Sequence, residues 1–193
     1  MFKLKLPTDP HWATIAKSNL EEVLSDHAWC EQKAVSNAIT LITLLPEHTA
    51  IISELVKIAQ EEMDHFVQVH EIIKSKGWVL GRERKDNYVN QLSKFIKKGE
   101  NRQFFIVDRM LFAAMIEARS CERFKVLHET IEDEFLAKFY KELMISEANH
   151  YTVFLNFAHQ LGTGMDVKKR WEEWLSYEAD VVKSYGNSEA IHG

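Results

Sequence analysis

Apolar residues in this chain recur at steps of three and four over long stretches, and nowhere alternate with polar ones long enough to make a strand. The pattern predicts helices, and the punctuating residues place their ends. Asp9-Pro10 opens a short helix carrying Trp12, Ile15, Ala16 and Leu20 at helical spacing. Ser25 is placed to cap a second, over about 26–45, which Pro46 stops. A third follows over about 47–76 and ends at Gly77. After a polar stretch containing Gly81 comes a helical piece over about 86–98, closed by Gly99. A fourth long helix is expected over about 103–128. Thr130 with Asp133 reads as a capping box opening a fifth over 131–161, broken by Gly162 and Gly164. Asp166 caps a last helix with Trp171, Trp174, Leu175, Glu178 and Val182 along one side. The predicted fold class is all-α. A single domain over 1–193 is expected, a four-helix bundle with additional N- and C-terminal helices and a helical crossover.

Composition agrees with that outline. Seven Gly and three Pro in 193 residues are few, and sheets need the turns those residues make. Hydrophobic content of 46% with 27% charged residues is globular rather than disordered. No uninterrupted apolar run reaches the roughly 18 residues of a membrane span. The opening MFKLKLPTDP has no hydrophobic segment of the kind a secretory signal carries. Cys30 and Cys121 make neither a disulfide framework nor a zinc knuckle, so a reduced, cytoplasmic setting is expected. The net charge of −5 weighs against a general nucleic-acid binder.

Candidate chemistry lies in two repeated segments, Glu62-Met63-Asp64-His65 and Glu147-Ala148-Asn149-His150. Residues three apart share a helix face, so each pair can aim a carboxylate and an imidazole at one point. Singly, such a pair is what chance supplies in a chain with 21 Glu and nine His, and a solvated helix face accounts for it. The spacing upstream carries more. Glu31 precedes Glu62 by 31 residues and Glu117 precedes Glu147 by 30. A hairpin turning between Pro46 and Glu47 sets Glu31 level with Glu62, and one turning at Glu132 sets Glu117 level with Glu147. Two such hairpins offer four carboxylates and two imidazoles. Glu117 lies in the apolar run Met110–Ala118, where a lone carboxylate needs a cation or a proton. Four converging carboxylates need about two divalent ions, and this donor set suits iron or manganese better than zinc or calcium. It is the ligand pattern of helix-bundle dimetal proteins. Glu61 and Glu122 compete as ligands but fall out of register, and His27, four residues before Glu31, is the candidate outer partner.

With these residues in view, the chain resembles the bacterial tRNA 2-methylthio-isopentenyladenosine hydroxylase family. The resemblance is carried by Asp26-His27-Ala28-Trp29-Cys30-Glu31-Gln32-Lys33-Ala34, Glu62-Met63-Asp64-His65, Ile116-Glu117-Ala118-Arg119-Ser120-Cys121-Glu122-Arg123-Phe124 and Ser146-Glu147-Ala148-Asn149-His150-Tyr151. It spans almost the whole chain. Glu-x-x-His is common to many ferritin-like proteins, whereas the Glu-Ala-Arg-Ser-Cys-Glu-Arg-Phe block is specific. The resemblance implies a ferritin-like fold and a non-haem di-iron monooxygenase with two iron ions, O2 as co-substrate and an external electron donor, a protein or reductase. The reaction implied is hydroxylation of an allylic methyl group on the isopentenyl side chain next to the anticodon of tRNA. Glu31, Glu62, His65, Glu117, Glu147 and His150 are the implied metal ligands. His27, Trp29, Phe66, Phe112, Tyr151 and Phe154 are candidates for the surrounding shell or pocket, although aromatics at helical spacing also make ordinary core.

The charge is uneven. Lys74 to Arg102 carries net +6, leaving the remainder at −11. Arg82, Arg84, Lys85, Lys94, Lys97, Lys98 and Arg102 are candidate tRNA contacts, with Trp78, Tyr88 and Phe95 interleaved as stacking surfaces. A solvated connector is the plain alternative. Lys168-Lys169-Arg170 makes a second, weaker patch. Two other functions share some of these features: another ferritin-like dimetal activity (ferroxidase and iron storage, or a manganese catalase or peroxidase), and a metal-free helical RNA-binding module. A rubredoxin-type Cys-x-x-Cys is missing and the 52-residue gap from His65 to Glu117 is long, which disfavours the first. Six intact candidate ligands disfavour the second.

Overall fold

The computed structural model describes residues 2–99, 101–184 and 191. Among them are α1 (Pro10–Ser18), α2 (Leu20–Leu44), α3 (Thr49–Ser75), α4 (Asn87–Leu92), a 3-10 turn (Ser93–Phe95), α5 (Arg102–Thr130), α6 (Glu134–Leu161) and α7 (Val167–Lys183), with no strand among the described residues. None of these helices is long and apolar enough to cross a membrane.

The chain gathers into two compact units. One holds residues 15–85 with Ile191, and the other holds residues 2–14, 86–99 and 101–184. The first is built on the α2–α3 hairpin. Its core comes from Leu24, Ala28, Val35, Ala38 and Leu41 on α2 and Ile51, Leu55, Ile58, Val69 and Ile72 on α3. On α3 the buried positions run 51, 55, 58, 62, 65, 69, 72, the spacing of one helix face. Burying each of the large aliphatic groups stabilises by about 1.5–3 kcal/mol. Two positions on that face are not apolar: they are Glu62 and His65. The second unit repeats the scheme. α6 buries Leu136, Phe139, Tyr140, Leu143, Phe154 and Phe157 against α5, and Glu147 and His150 occupy the same stripe.

The two turns fall where the sequence puts them, at residues 45–48 and 131–133. Several helix starts differ. α2 begins at Leu20, a turn and a half before Ser25, because Leu20-Glu21-Glu22-Val23 continues the helical pattern upstream. Ser25 is buried inside the helix, where its hydroxyl accepts the Gly81 N–H at 3.1 Å. Thr130 is likewise no cap: it ends α5, and its hydroxyl donates to the Val126 carbonyl. Asp133 caps α6 instead, accepting from the Leu136 N–H at 3.1 Å. Asn101 caps α5 through the N–H groups of Gln103 and Phe104. The piece expected over 86–98 is shorter, a six-residue helix and one 3-10 turn. Gly162 closes α6 because nothing larger fits, since a Cβ there would stand 2.4 Å from Val167 Cγ2 and 2.8 Å from the Ala158 carbonyl.

The connector after α3 is strapped along α2. Trp29 Nε1 donates to the Gly81 carbonyl at 2.9 Å, Lys33 Nζ reaches the Arg84 carbonyl at 3.4 Å, and Arg84 pairs with Glu22.

Candidate functional site

Each hairpin carries a matching trio. On α2 and α3, Glu31, Glu62 and His65 each turn one ligand atom into a cluster whose members lie within 4.8 Å of one another. His65 Nδ1 stands 3.4 Å from Glu62 and 3.8 Å from Glu31. On α5 and α6, Glu117, Glu147 and His150 meet the same 4.8 Å limit, with His150 Nδ1 3.5 Å from Glu147. All six are buried, the most exposed being His65 at 8%. Carboxylate oxygens with one imidazole nitrogen per trio, in a dry setting, fit a divalent transition ion such as iron or manganese. Removed from water without such an ion or a proton, the carboxylates would be costly to keep charged.

His27 lies one helical turn before Glu31, fully buried, with Nε2 2.6 Å from Glu31 Oε1. Burial by itself raises the Glu31 carboxyl, but hydrogen bonds with His27, His65 and Glu62 and the His27 charge reverse that and hold it at about 2. The position one turn before Glu117 is Ala113. The two trios therefore share their donors but not their surroundings.

The candidate pocket residues divide. Trp29 is half-buried and tied to the Gly81 carbonyl, with its ring 6.4 Å from Phe66. Phe66 also stacks on His70 at 6.1 Å. Phe154 is fully buried against Phe157. Phe112 packs 6.2 Å from Trp174, with the Arg109 guanidinium 6.0 Å from its ring. Tyr151 packs between Phe2, at 4.4 Å, and Trp171, at 5.9 Å. The competing carboxylates are occupied or remote: Glu61 is exposed, and Glu122 accepts from the Thr8 N–H and hydroxyl and from Arg119. Cys121 donates to the Met144 carbonyl, and burial beside Glu147 and Glu122 pushes its thiol up to about 12. His192 lies outside the described residues.

The basic stretch is only partly a free surface. Arg82, Arg84, Lys85, Lys94, Lys97, Lys98 and Arg102 are all exposed. Lys33 pairs with Glu83 and Arg84 with Glu22, which neutralises part of the strap. Tyr88 is no stacking surface, because it is 1% exposed and its hydroxyl donates to Glu178 at 3.1 Å. Phe95 is stacked on Tyr177 at 4.4 Å, under the Arg170 guanidinium. Arg170 does not belong to the second patch either, since it is buried and binds both oxygens of Asp108 at 2.8 Å.

Two buried ion pairs join α5 to α7. Arg119 donates to Glu178 from Nε at 2.9 Å and from Nη2 at 2.5 Å. Burial opposes the charge on Arg119, yet the acidic groups Tyr88, Glu178 and Glu122 around it raise its pKa above the ordinary value. Asp108 binds Arg170, the Trp174 N–H and the Lys97 backbone N–H. The available signal was a charge on an apolar face: Glu178 among Trp171, Trp174 and Leu175, and Asp108 within Ile106–Met115.

A family model described as tRNA-(MS[2]IO[6]A)-hydroxylase (MiaE) matches residues 2–193. The tRNA 2-(methylsulfanyl)-N(6)-isopentenyladenosine(37) hydroxylase of Pseudomonas putida is 34% identical over 181 residues, covering 94% of this chain and 87% of that one. The protein of the same name from Salmonella typhimurium is 28% identical over 230 residues, covering 94% and 84%. Among solved structures, Protein 43 with aldehyde deformylating oxygenase activity from Synechococcus superposes with a TM-score of 0.91 at 30% identity, covering 98% of this chain and 95% of that one. The fold class is all-α and ferritin-like. With the match running the length of the chain, this protein belongs to the MiaE family of tRNA hydroxylases.

Proposed function

We propose that the chain is an O2-dependent di-iron monooxygenase that hydroxylates the isopentenyl group of 2-methylthio-isopentenyladenosine in tRNA, next to the anticodon. The observation that carries this reading is the pair of buried Glu plus Glu-x-x-His trios, one per hairpin, in a chain whose named relatives are tRNA hydroxylases. Glu31, Glu62 and His65 would hold metal on the α2–α3 hairpin, and Glu117, Glu147 and His150 on the α5–α6 hairpin. Two iron ions so held would supply O2 activation, the chemistry that side chains alone lack. The net change is insertion of one oxygen atom into an allylic C–H bond, while the other leaves as water. That balance takes two electrons and two protons, delivered by an external donor protein or reductase. The chain's own contribution is to fix the ligands and keep water out. His27 holds one oxygen of Glu31, leaving the other for metal. Phe112 and Phe154 add buried apolar surface on the α5–α6 side, and Trp29 and Phe66 line the α2–α3 side. Exposed Lys94, Lys97, Lys98 and Arg102, with Arg82 and Lys85, take the phosphates, and a tRNA substrate goes with a cytoplasmic enzyme.

The experiment is anaerobic iron loading followed by reductant, O2 and tRNA bearing the isopentenyl group. The expected result is about two iron atoms per chain, since each trio supplies ligands for one, and a nucleoside heavier by one oxygen. Glu117→Ala should lose the iron of its own trio and, with it, the added oxygen. Rapid peroxide breakdown or iron mineralisation with no added oxygen would instead assign the trios to a catalase or ferroxidase. A chain that stays metal-free would overturn the enzyme reading.

A further inference from the structure

The 3-10 turn, Gly99 and the first three turns of α5 enclose an open groove of about 510 Å3, lined by Ser93, Ile96, Lys98, Gly99, Phe105 and Arg109. Its chemistry is one-sided. The described lining holds two cations and no carboxylate, and its walls are the apolar Ile96 and Phe105. The nearest acidic side chain on α5, Asp108, is turned inward and held by Arg170 and Trp174. Lys94, Lys97 and Arg102 stand exposed on the same segments. Arg109 is half-buried, and its guanidinium lies 6.0 Å from the Phe112 ring. Burial lowers its pKa below the ordinary arginine value.

The geometry points to this groove as an RNA subsite: Arg109 and Lys98 hold a phosphate of the substrate strand, and Phe105 gives an unstacked base a ring to lie on. This rests on the reading of tRNA as substrate and deepens it. Cation plus aromatic in one shallow groove is the chemistry that holds single-stranded RNA loops. The placement suits the reaction. Arg109 precedes Glu117 by eight residues on the same helix, about 12 Å along its axis. That is the scale of one nucleotide from its phosphate to an extended substituent on the base. A phosphate anchored at Arg109 therefore leaves the modified side chain within reach of the level of Glu117. The exposed lysines Lys94 and Lys97 extend the same positive surface along the flanking backbone.

The test is binding of a fluorescently labelled anticodon stem-loop RNA to the full-length, iron-loaded protein, read by anisotropy across a salt series. Arg109→Gln and Phe105→Ala should each weaken binding by about tenfold. Lys98→Gln should lower the slope of log Kd against log salt by about one. Lys57→Gln, an exposed lysine on α3, should change neither. Helical circular dichroism and iron content check that each variant is folded, and Lys98→Gln, fully on the surface, stands if Arg109→Gln does not fold. Wild-type affinity in folded Phe105→Ala and Arg109→Gln, with an unchanged slope in Lys98→Gln, would overturn the subsite. Should those variants bind RNA normally but turn over only with a chemical reductant, the groove receives an acidic donor protein and the RNA assignment falls. If the wild-type chain hydroxylates tRNA while the groove variants bind it normally, the groove alone is lost. If the wild-type chain neither binds nor hydroxylates it, the proposed function fails and takes the subsite with it.

Discussion

A single side chain separates the two trios. His27 stands 2.6 Å from Glu31, whereas Ala113 takes the matching place before Glu117. Outer partners of this kind orient a ligand and raise metal affinity, typically by 10–100-fold. His27→Ala should therefore weaken iron binding by roughly that factor at the Glu31 trio and leave the other occupied. Calorimetric iron titration would then split into a tight and a weak step, and two unchanged steps would rule out the role. The same change has a pH signature in the metal-free protein. Glu31 sits at about 2 when folded against 4.5 as its ordinary value, so its contribution to stability is complete above 4.5 and lost as pH falls toward 2. Removing His27 lets burial raise the carboxyl, so that loss should begin at higher pH in an acid-unfolding series. Glu31, Glu62 and His65 were legible in the sequence because their spacing matched a turn that Pro46 placed independently. The contact between His27 and Glu31 was legible for the simpler reason that both lie on one helix.

Elements were read well where a rigid residue punctuates them and poorly where a polar side chain had two possible uses. Ser25 and Thr130 look like caps in isolation, but one serves the Gly81 N–H and the other its own helix. Those choices are made by partners distant in sequence or by the helix continuing past them, so local pattern cannot reveal them. Long-range pairing hid the buried charges for the same reason. Asp108 and Arg170 are 62 residues apart, and only the folded chain brings α5 and α7 together around them. Breaking a buried pair on one side leaves an uncompensated charge, at a cost of about 3–5 kcal/mol. Asp108→Ala should lose that much in chemical denaturation. Lys138→Ala, which removes an exposed pair with Glu142, should lose less than about 1 kcal/mol. Equal losses in the two variants would contradict this account of how α7 is held.

At the scale of the whole molecule the net charge of −5 has a different meaning once the trios are known. Four of the carboxylates counted in it are the buried Glu31, Glu62, Glu117 and Glu147. Glu31 is already ionised at neutral pH, so a divalent ion arriving there adds charge rather than displacing a proton. The loaded protein should therefore focus above the sequence isoelectric point of about 6.0, and stripping with a chelator should return it. An isoelectric point that ignores metal would contradict binding at the trios. Net charge is therefore a poor guide to this chain's affinity for RNA, because part of the acidic count is buried and local charge, not the total, sets what a surface attracts.

The strap along α2 adds an ordering in time. Ser25, Trp29 and Lys33, which hold it, stand on successive turns of one helix, and they come into line only when that helix exists. The strap cannot guide α2; it can only register that α2 has formed. Weakening it, as in Trp29→Phe, should therefore hasten unfolding more than it slows folding, read from the two limbs of a chevron.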